Sequence, residues 1–332
     1  MVMKWGIIGM GDIADKVMAP AMTRSDHHQL DAVMRRDPLL AKELGYKHGA
    51  KKIYTDLEQI LNDSDIDAVY IATPVHLHKE QTIMAASYGK HVLCEKPMAM
   101  NASEAKDMVK ACDENGVKLM LCYYQRFNRR HQKIRQLIMG GEIGQITATR
   151  ITYCNYKPGN PNEWRQRPEI SGGGGLMDVG SHCVDLLRYL FGEVVSVSAL
   201  VDTLAFNYAV DDTATMLLEL SGPIHAVVST HWSALIPDIQ NSSELSIYGT
   251  KGTIISSPTN DKFSRGSLNI LKGNQKSEFH FEQSTHEQML NDFYKSVMDS
   301  EPISITGEDG VEVSKVIDAA YLSSVEGRKI NI

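Results

Sequence analysis

The chain has 332 residues, of which 42% are hydrophobic and 23% charged, and this composition is typical of a soluble globular protein with two domains. Its formal net charge is −7 and it contains no basic run, so we expect no nucleic-acid partner. No apolar stretch is long enough to span a membrane, and the first apolar run, Trp5–Gly9, is too short for a signal peptide. The expected location is therefore the cytoplasm, with no membrane partner.

The cysteines and histidines do not have the spacing of a metal site. The five cysteines include no Cys-x-x-Cys pair, which indicates reduced thiols. His76 lies close to His78, and His182 precedes Cys183, but neither pair matches a zinc-ligand pattern. We therefore expect no metal.

A glycine motif follows the first apolar run. Gly9-Met10-Gly11-Asp12-Ile13-Ala14 has the form Gly-x-Gly-x-x-Ala and lies between a predicted strand, Lys4–Ile8, and a predicted helix, Asp12–Arg24. The first glycine permits a tight turn, the second lets backbone approach a pyrophosphate, and the last small residue lets helix and strand pack closely. Free N–H groups at a helix start also bind phosphate. The motif predicts a dinucleotide site formed by Gly9, Met10, Gly11, Asp12 and Ile13.

The second predicted strand, Leu30–Met34, indicates which dinucleotide is bound. An acidic residue at this strand end usually binds the ribose of NAD, whereas an arginine pairs with the 2′-phosphate of NADP. The strand continues into Arg35 and Arg36, so we expect NADP as the cofactor. If the strand is longer, Asp37 binds the ribose of NAD instead.

The fourth strand, Asp67–Ala72, ends in a turn that opens a helix. Ligands of doubly wound folds bind at the carboxyl ends of the strands. We therefore expect four turn residues beside the nicotinamide half of the cofactor, although each histidine has a helix cap or a packed position as its alternative. These residues are Thr73, Pro74, His76 and His78.

The run His91-Val92-Leu93-Cys94-Glu95-Lys96-Pro97 changes abruptly from apolar to polar. A lysine at the end of a buried strand is costly without a partner or a function, so Lys96 is a candidate ligand-binding residue. Glu95 can hold this lysine or a cofactor hydroxyl. Six predicted strands alternate with helices up to Val117–Cys122, which predicts a doubly wound parallel sheet.

The pattern changes after residue 123, where a basic and aromatic segment over residues 123–140 predicts a hinge that contacts the cofactor or the other domain. We place the domains at 1–123 and 124–332. Alternating apolar residues and turn signals in the second domain predict a mostly antiparallel sheet with helices on one face. The predicted strands are Ile146–Tyr156, Val194–Val201, Ala214–Leu220, His225–Trp232, Ser243–Tyr248, Gly252–Ser256 and Leu268–Leu271, followed by helices over Thr285–Asp299 and Glu308–Glu326.

A glycine-rich insertion interrupts the second domain. Gly172–Gly175 lets the backbone pass close to a ligand or to another part of the backbone. Asp178 and His182 follow on a predicted helix, four residues apart and so on one face. A carboxylate beside an imidazole fixes its tautomer and suits a proton donor near neutral pH, although an exposed pair is the alternative.

Together these motifs resemble the Gfo/Idh/MocA family of NAD(P)-dependent oxidoreductases, and the resemblance extends over nearly the whole chain. It implies a Rossmann domain followed by an α/β domain with a large, mostly antiparallel sheet. That sheet implies a homo-oligomer, either a dimer or a tetramer. The motifs are Gly9-Met10-Gly11, Thr73-Pro74, Glu95-Lys96-Pro97, Arg126-Phe127, Trp164-Arg165, Asp178-Val179-Gly180-Ser181-His182 and Tyr248-Gly249-Thr250-Lys251-Gly252.

The resemblance also implies roles for individual residues. Lys96 contacts the reacting oxygen and the cofactor, while Asp178 and His182 line the substrate pocket, and these three are the expected catalytic residues. Trp164 and Arg165 are expected at the cofactor. His286 stands where a tyrosine is common, so no cofactor contact is carried over there. The polar and aromatic region before the glycines places Tyr153 and Tyr156 at the substrate.

The expected function is reversible hydride transfer between NADP and a carbinol or carbonyl carbon of a sugar, polyol or related diol, by an NAD(P)-dependent dehydrogenase or reductase of CH–OH groups. Lys96 would stabilise the oxygen, and His182 or Lys96 would supply the proton. The alternative is a dinucleotide-sensing regulatory protein of the same fold that carries out no catalysis. Such a protein needs the cofactor site but has no need of the Lys96, Asp178 and His182 set.

Overall fold

A computed structural model describes residues 2–235, 243–259, 266–281 and 284–332. The chain divides into two compact units. The first contains Met1–Cys122 and His286–Glu312, and the second contains Tyr123–Thr285 and Val313–Ile332. The expected domain bounds stay a prediction. Among the described residues, no helix is both long and apolar enough to cross a membrane.

The first unit is built on a six-stranded sheet in which every pair of neighbouring strands is parallel. The strand order is β3-β2-β1-β4-β5-β6. The chain adds β2 and β3 on one side of β1 and then returns to add β4, β5 and β6 on the other side, so the strand order reverses between β1 and β4. All four residues of β4 are buried, as expected for a strand covered on both faces. The strands are β1 (Met3–Ile8), β2 (His28–Met34), β3 (Lys52–Tyr54), β4 (Ala68–Ile71), β5 (His91–Cys94) and β6 (Leu119–Leu121).

Side-chain caps fix several helix starts in this unit. Asp56 accepts a hydrogen bond from the Gln59 N–H, and Asn101 accepts one from the Glu104 N–H. The helices are α1 (Ala19–Thr23), α2 (Pro38–Lys47), α3 (Leu57–Leu61), α4 (His78–Ser87) and α5 (Ala102–Glu114). The predicted helix over Asp12–Arg24 is not wholly α-helical, because a π-helical turn, Ala14–Met18, precedes α1.

The second unit contains a nine-stranded sheet in the order β14-β13-β12-β11-β7-β10-β9-β8-β15. All its neighbouring pairs are antiparallel except β7 and β10, which confirms the predicted mostly antiparallel sheet. The strands are β7 (Ile146–Cys154), β8 (Val194–Asp202), β9 (Thr213–Leu220), β10 (His225–His231), β11 (Ser243–Gly249), β12 (Gly252–Ser257), β13 (Ser267–Lys272), β14 (Gln275–His280) and β15 (Ile330–Asn331).

One face of this sheet is buried and the other is largely exposed. Along β9 the burial alternates, so that Met216 and Leu218 are buried while Leu217 is 52% exposed. The remaining helices are α6 (Arg129–Met139), α7 (Pro168–Ser171), α8 (Ser181–Phe191), α9 (Thr285–Met298) and α10 (Gly307–Glu326). The sequence did not predict β14, β15 or the π-helical turn Leu176–Gly180 that leads into α8.

Candidate active site

The glycine turn after β1 has the geometry that a dinucleotide requires. Gly9 has a φ of +89°, and an added Cβ would lie 2.7 Å from Thr73 Cγ2 and 2.8 Å from the Thr73 backbone nitrogen, so glycine is required here. An added Cβ at Gly11 would meet no atom within 4 Å. The backbone at Gly11 is therefore open to a ligand group. This open cradle fits the pyrophosphate of a dinucleotide.

Arg35 stands at the tip of β2, as predicted, because the strand ends at Met34. Its guanidinium donates a hydrogen bond to the carbonyl oxygen of Met10 in the glycine turn. The side chain is half-buried. Arg35 therefore holds a fixed positive charge beside the turn.

Asp37, the rival ribose ligand, caps a helix. Its Oδ1 atom accepts hydrogen bonds from the backbone N–H groups of Leu39 at 3.0 Å and Leu40 at 3.1 Å, at the start of α2. The neighbouring Arg36 is exposed. The other predicted cofactor residues on these turns have exposed or half-buried side chains, namely Asp12, Ile13, Pro74 and His76.

The carboxyl ends of β4 and β5 lie side by side, because these strands are parallel neighbours. The Tyr70 hydroxyl donates a hydrogen bond to Glu95 Oε1 at 2.6 Å, and the Lys96 backbone N–H donates to Glu95 Oε2 at 3.2 Å. Burial and the nearby Glu95 charge raise the pKa of Tyr70, so its phenol stays protonated and remains a donor. Glu95 is thereby fixed, and half-buried Lys96 follows it directly.

His78 joins the two neighbouring turns. Its ring is buried, with Nδ1 3.0 Å from the Pro97 carbonyl oxygen and Nε2 2.8 Å from the Thr73 carbonyl oxygen. Burial lowers the pKa of this imidazole. Thr73 also donates a hydrogen bond from its hydroxyl to Gln81 at 2.7 Å. The contacts of His78 are therefore with the backbone that positions Thr73 and Lys96.

The basic segment at the start of the second unit forms an internal ion pair. Arg126 Nη2 lies 2.6 Å from Asp185 Oδ1 on α8, and Arg126 Nε lies 3.0 Å from the same oxygen. Asp185 is fully buried. This charge-assisted contact ties residues 124–127 to the helix that carries His182.

The glycine run of the second unit packs against the protein's own backbone. An added Cβ at Gly174 would lie 1.9 Å from the Asp211 carbonyl oxygen. The Asp211 carboxylate accepts hydrogen bonds from the backbone N–H groups of Gly174 at 2.8 Å and Leu176 at 2.7 Å, and from the Tyr321 hydroxyl at 2.7 Å. Of the two interpretations of the glycines, close approach to backbone is the one that this geometry supports.

Asp178 lies in the π-helical turn that the glycine run precedes. Lys157 Nζ is 3.2 Å from Asp178 Oδ2, and Arg165 Nε is 3.9 Å from the same oxygen. The Arg165 guanidinium also stacks on the Trp164 ring, with 4.3 Å between Cζ and the ring centroid. The sequence did not identify Lys157, because its partner Asp178 is 21 residues away in the chain and no local pattern connects the two.

His182 follows on α8 and is packed by aromatic rings. Its ring centroid is 5.1 Å from that of Tyr124, in an edge-on arrangement. His182 and Tyr153 line one small cavity together with Gln125, Cys183 and Leu186. Burial and the Asp178 charge raise the pKa of Tyr153, so its hydroxyl stays protonated. Tyr153 and His182 thus share a cavity, and Asp178 lies near enough to Tyr153 to affect its pKa, while the role of these three residues in substrate binding stays a prediction.

Tyr156 is nearly half exposed and packs against a loop. Its ring centroid lies 5.7 Å from that of Phe206. The loop is fixed because the Asp212 carboxylate accepts hydrogen bonds from three successive N–H groups, those of Leu204, Ala205 and Phe206, at 3.0, 2.9 and 2.9 Å.

No group of three or more His, Cys, Asp or Glu side chains that could hold a metal ion occurs within the described ranges. The five cysteines are free thiols, and all but Cys154 are buried. Burial raises the pKa of Cys94 and Cys122, so these thiols stay protonated at neutral pH.

Two family models match the chain. Residues 3–123 match the oxidoreductase family with an NAD-binding Rossmann fold, and residues 131–255 match the GFO/IDH/MocA C-terminal domain. These matches cover well over half of the chain, which therefore belongs to the GFO/IDH/MocA family of oxidoreductases. The predicted family and the predicted fold class are confirmed.

Named relatives have related activities. The chain is 29% identical to a 1,5-anhydro-D-fructose reductase of Ensifer adhaerens, over 93% of this chain and 92% of the relative. It is 33% identical to a trans-1,2-dihydrobenzene-1,2-diol dehydrogenase of Mus musculus, over 76% of this chain and 74% of the relative. A solved levoglucosan dehydrogenase, in complex with NADH and levoglucosan, aligns over 100% of both chains with a TM-score of 0.90 and 25% identity.

These findings confirm that the protein is an NAD(P)-dependent dehydrogenase or reductase. Its cofactor is a nicotinamide dinucleotide.

Proposed function

We propose that the protein transfers a hydride reversibly between NADP and a carbinol or carbonyl carbon of a sugar, polyol or related diol. The observation that carries this proposal is the polar set of the second unit. Asp178 is held by Lys157 at 3.2 Å and lies one helical turn before His182, which is 95% buried among aromatic rings. A carboxylate suits hydroxyl binding, and a buried imidazole suits proton transfer. Relatives that act on a sugar derivative and on a diol fit the same chemistry.

The bound cofactor supplies or accepts the hydride. In the direction of reduction, negative charge develops on the carbonyl oxygen, and we assign its stabilisation to the Lys96 ammonium group. His182 donates the proton that completes the hydroxyl group. Asp178 orients the substrate by accepting a hydrogen bond from a hydroxyl. The Lys96 backbone N–H donates a hydrogen bond to Glu95, which fixes the backbone from which the ammonium group extends.

The choice of NADP rests on Arg35. Its guanidinium is anchored beside the glycine turn by Met10, while the Oδ1 atom of Asp37 is already used to cap α2. An arginine at this strand end pairs with a 2′-phosphate. Arg35→Ala should weaken NADPH binding by about tenfold or more and NADH binding by less than about threefold. Equal losses for the two, measured by nicotinamide fluorescence titration, would contradict the choice of NADP.

The function is tested by following reduced-nicotinamide absorbance with sugars, polyols and ring diols plus NADP⁺ or NAD⁺, and with matching carbonyls plus NADPH. We expect turnover in the NADP pair. Lys96→Ala and His182→Ala should each lower kcat by a factor of about 100 or more. Lys118→Ala and His280→Ala, which alter exposed side chains, are the matched controls. Near-normal turnover in both site variants would overturn the assignment, and tight NADPH binding without turnover on any substrate would favour a regulatory protein.

We also propose that the exposed face of the nine-stranded sheet joins copies of this chain into a dimer or tetramer. Leu217 and Leu200 are 52% and 70% exposed on adjacent strands of that face, and a second copy of the chain would cover them. Sedimentation should show a dimer or tetramer, and Leu217→Glu should shift it toward monomer. A monomeric wild-type protein at micromolar concentration would refute this.

The free cysteines fit a reducing compartment, and we place the protein in the cytoplasm.

A further inference from the structure

Lys157 is fixed in place by contacts on its backbone and its side chain. Its N–H donates a hydrogen bond to the Trp232 carbonyl oxygen at 2.8 Å, and its own carbonyl oxygen accepts one from the Tyr208 hydroxyl at 3.3 Å. The ammonium group lies 4.2 Å from the centroid of the fully buried Trp232 ring. A lysine held in this way has already lost most of its rotamer freedom, so it can bind a ligand without a large entropy cost.

The ammonium group forms a donor and acceptor pair with Asp178. The distance from Lys157 Nζ to Asp178 Oδ2 is 3.2 Å, which is close to the spacing of the two oxygens in a gauche vicinal diol. The ammonium donates hydrogen bonds and the carboxylate accepts them. Two neighbouring hydroxyl groups can therefore be bound at once, one accepting from Lys157 and the other donating to Asp178.

We propose that Lys157 and Asp178 together bind adjacent hydroxyl groups, so that the enzyme selects vicinal diols over isolated alcohols. The inference rests on the proposed hydride transfer at a carbinol carbon and adds only a binding contact to it. Asp178 lies one turn before His182. The hydroxyl bound by Lys157 and Asp178 is therefore adjacent to the carbon whose own hydroxyl exchanges a proton with His182.

The local charges favour a neutral ligand. Arg165 lies 3.9 Å from Asp178 and 3.2 Å from Glu163, so two cations stand beside two carboxylates. A carboxylate or phosphate on the substrate would have to compete with these acids for each cation. The side chains of Lys157 and Asp178 are 25% and 17% exposed, so a small ligand can reach the pair, while limited solvation strengthens its hydrogen bonds.

The test measures binding to the complex of the enzyme with NADPH. An alcohol cannot be oxidised by the reduced cofactor, so affinity is obtained whether or not the compound is a good substrate. The probes are trans-cyclohexane-1,2-diol and cyclohexanol, followed by nicotinamide fluorescence. We expect the wild type to bind the diol at least tenfold more tightly than the monohydric alcohol, which corresponds to one charge-assisted hydrogen bond.

Lys157→Met removes the ammonium group and keeps an unbranched side chain on Trp232. This variant should lose about tenfold in affinity for the diol and less than about twofold for cyclohexanol. Lys157→Arg, which retains a charged donor, should recover part of the preference. The matched control is Lys133→Met, because Lys133 also lies over an aromatic ring, 5.8 Å from the Phe279 centroid.

A diol preference that survives in Lys157→Met, or that is absent from the wild type, would overturn the inference. So would tighter binding of gluconate than of glucose, since that result would show an anion site. A wild type that oxidises alcohols with NADP⁺ but fails these binding criteria would leave the proposed function standing. Conversely, a protein that binds diols selectively but shows no turnover would contradict the proposed hydride transfer and support the diol-binding role of Lys157 and Asp178.

Discussion

Two glycine-rich turns, one in each compact unit, are each followed within three residues by a π-helical turn. The first is Gly9–Gly11, before Ala14–Met18, and the second is Gly172–Gly175, before Leu176–Gly180. In the first, an added Cβ at Gly11 meets no atom, whereas in the second an added Cβ at Gly174 would collide with Asp211. Gly11 thus leaves its backbone open, whereas Gly174, like Gly9, is required by close contact with the protein's own atoms. The difference shows that a glycine run indicates close approach without indicating what approaches.

Gly174→Ala should have the largest effect on stability. The new Cβ would lie 1.9 Å from the Asp211 carbonyl oxygen and 2.8 Å from the Asp211 carbonyl carbon, and the hydrogen bonds to the Asp211 carboxylate prevent an easy shift. We expect the free energy of unfolding to fall by about 4 kcal/mol and the melting temperature by about 10 °C. Gly159→Ala, whose Cβ would meet no atom within 4 Å, is the control. Equal melting temperatures of the two variants by circular dichroism would contradict the packing role.

Gly9→Ala should rank second. The left-handed φ of +89° costs an alanine about 1–2 kcal/mol, and contact with Thr73 adds to this. Gly89→Ala separates the two causes, since Gly89 has a φ of +71° and no atom within 4 Å of an added Cβ. We expect losses of about 3 kcal/mol for Gly9→Ala and about 1 kcal/mol for Gly89→Ala in denaturant unfolding. Similar losses would mean that the Thr73 contact is unimportant.

Substitutions of Asp211 and Tyr321 test the packing of the Gly172–Gly175 run through its hydrogen-bond partners. Asp211→Asn places an amide where the two carboxylate oxygens accept three hydrogen bonds, so one backbone N–H would face another donor. We expect a loss of about 1–3 kcal/mol, against about 1 kcal/mol for Tyr321→Phe. Since both changes affect Asp211 Oδ1, their effects should be non-additive in a double-mutant cycle. Strict additivity would show that the two groups stabilise the turn independently.

The sequence predicted those parts of the site that depend on local pattern. The change from apolar to polar at Cys94–Lys96 marks a strand end, and the structure places Lys96 there. The spacing of Asp178 and His182 predicted one helical segment that carries both. The π-helical turns have hydrophobic spacing too similar to that of an α-helix to be told apart. Strand β14 was missed because most of its side chains are exposed and polar, without alternation.

The contacts that decide the role of the second glycine run are distant in the chain. Asp211 is 37 residues from Gly174, and Tyr321 is 110 residues from Asp211. Lys157 likewise reaches Asp178 across 21 residues. Only the folded topology brings such side chains together, so no motif could have selected them. Asp178 and His182 could therefore be selected from the sequence as candidates, whereas the contact between Lys157 and Asp178 could not.

Gly11→Ala should have the smallest effect on stability and a large effect on ligand binding. Because its Cβ would meet no protein atom within 4 Å, we expect the free energy of unfolding to change by less than about 0.5 kcal/mol. The same methyl group would occupy the space through which backbone approaches the pyrophosphate, so the affinity for NADPH should fall by about tenfold or more.

Gly159→Ala is again the control, because its added Cβ is equally free of contacts, and it should change neither property. Fluorescence titration gives the NADPH affinity of the two variants, and thermal unfolding gives their stability. Normal NADPH affinity in Gly11→Ala would show that the cofactor does not approach this backbone. A melting temperature of Gly11→Ala as low as that of Gly9→Ala would show that the first turn tolerates no side chain at either glycine. The first turn would then be closely packed, as the Gly172–Gly175 run is.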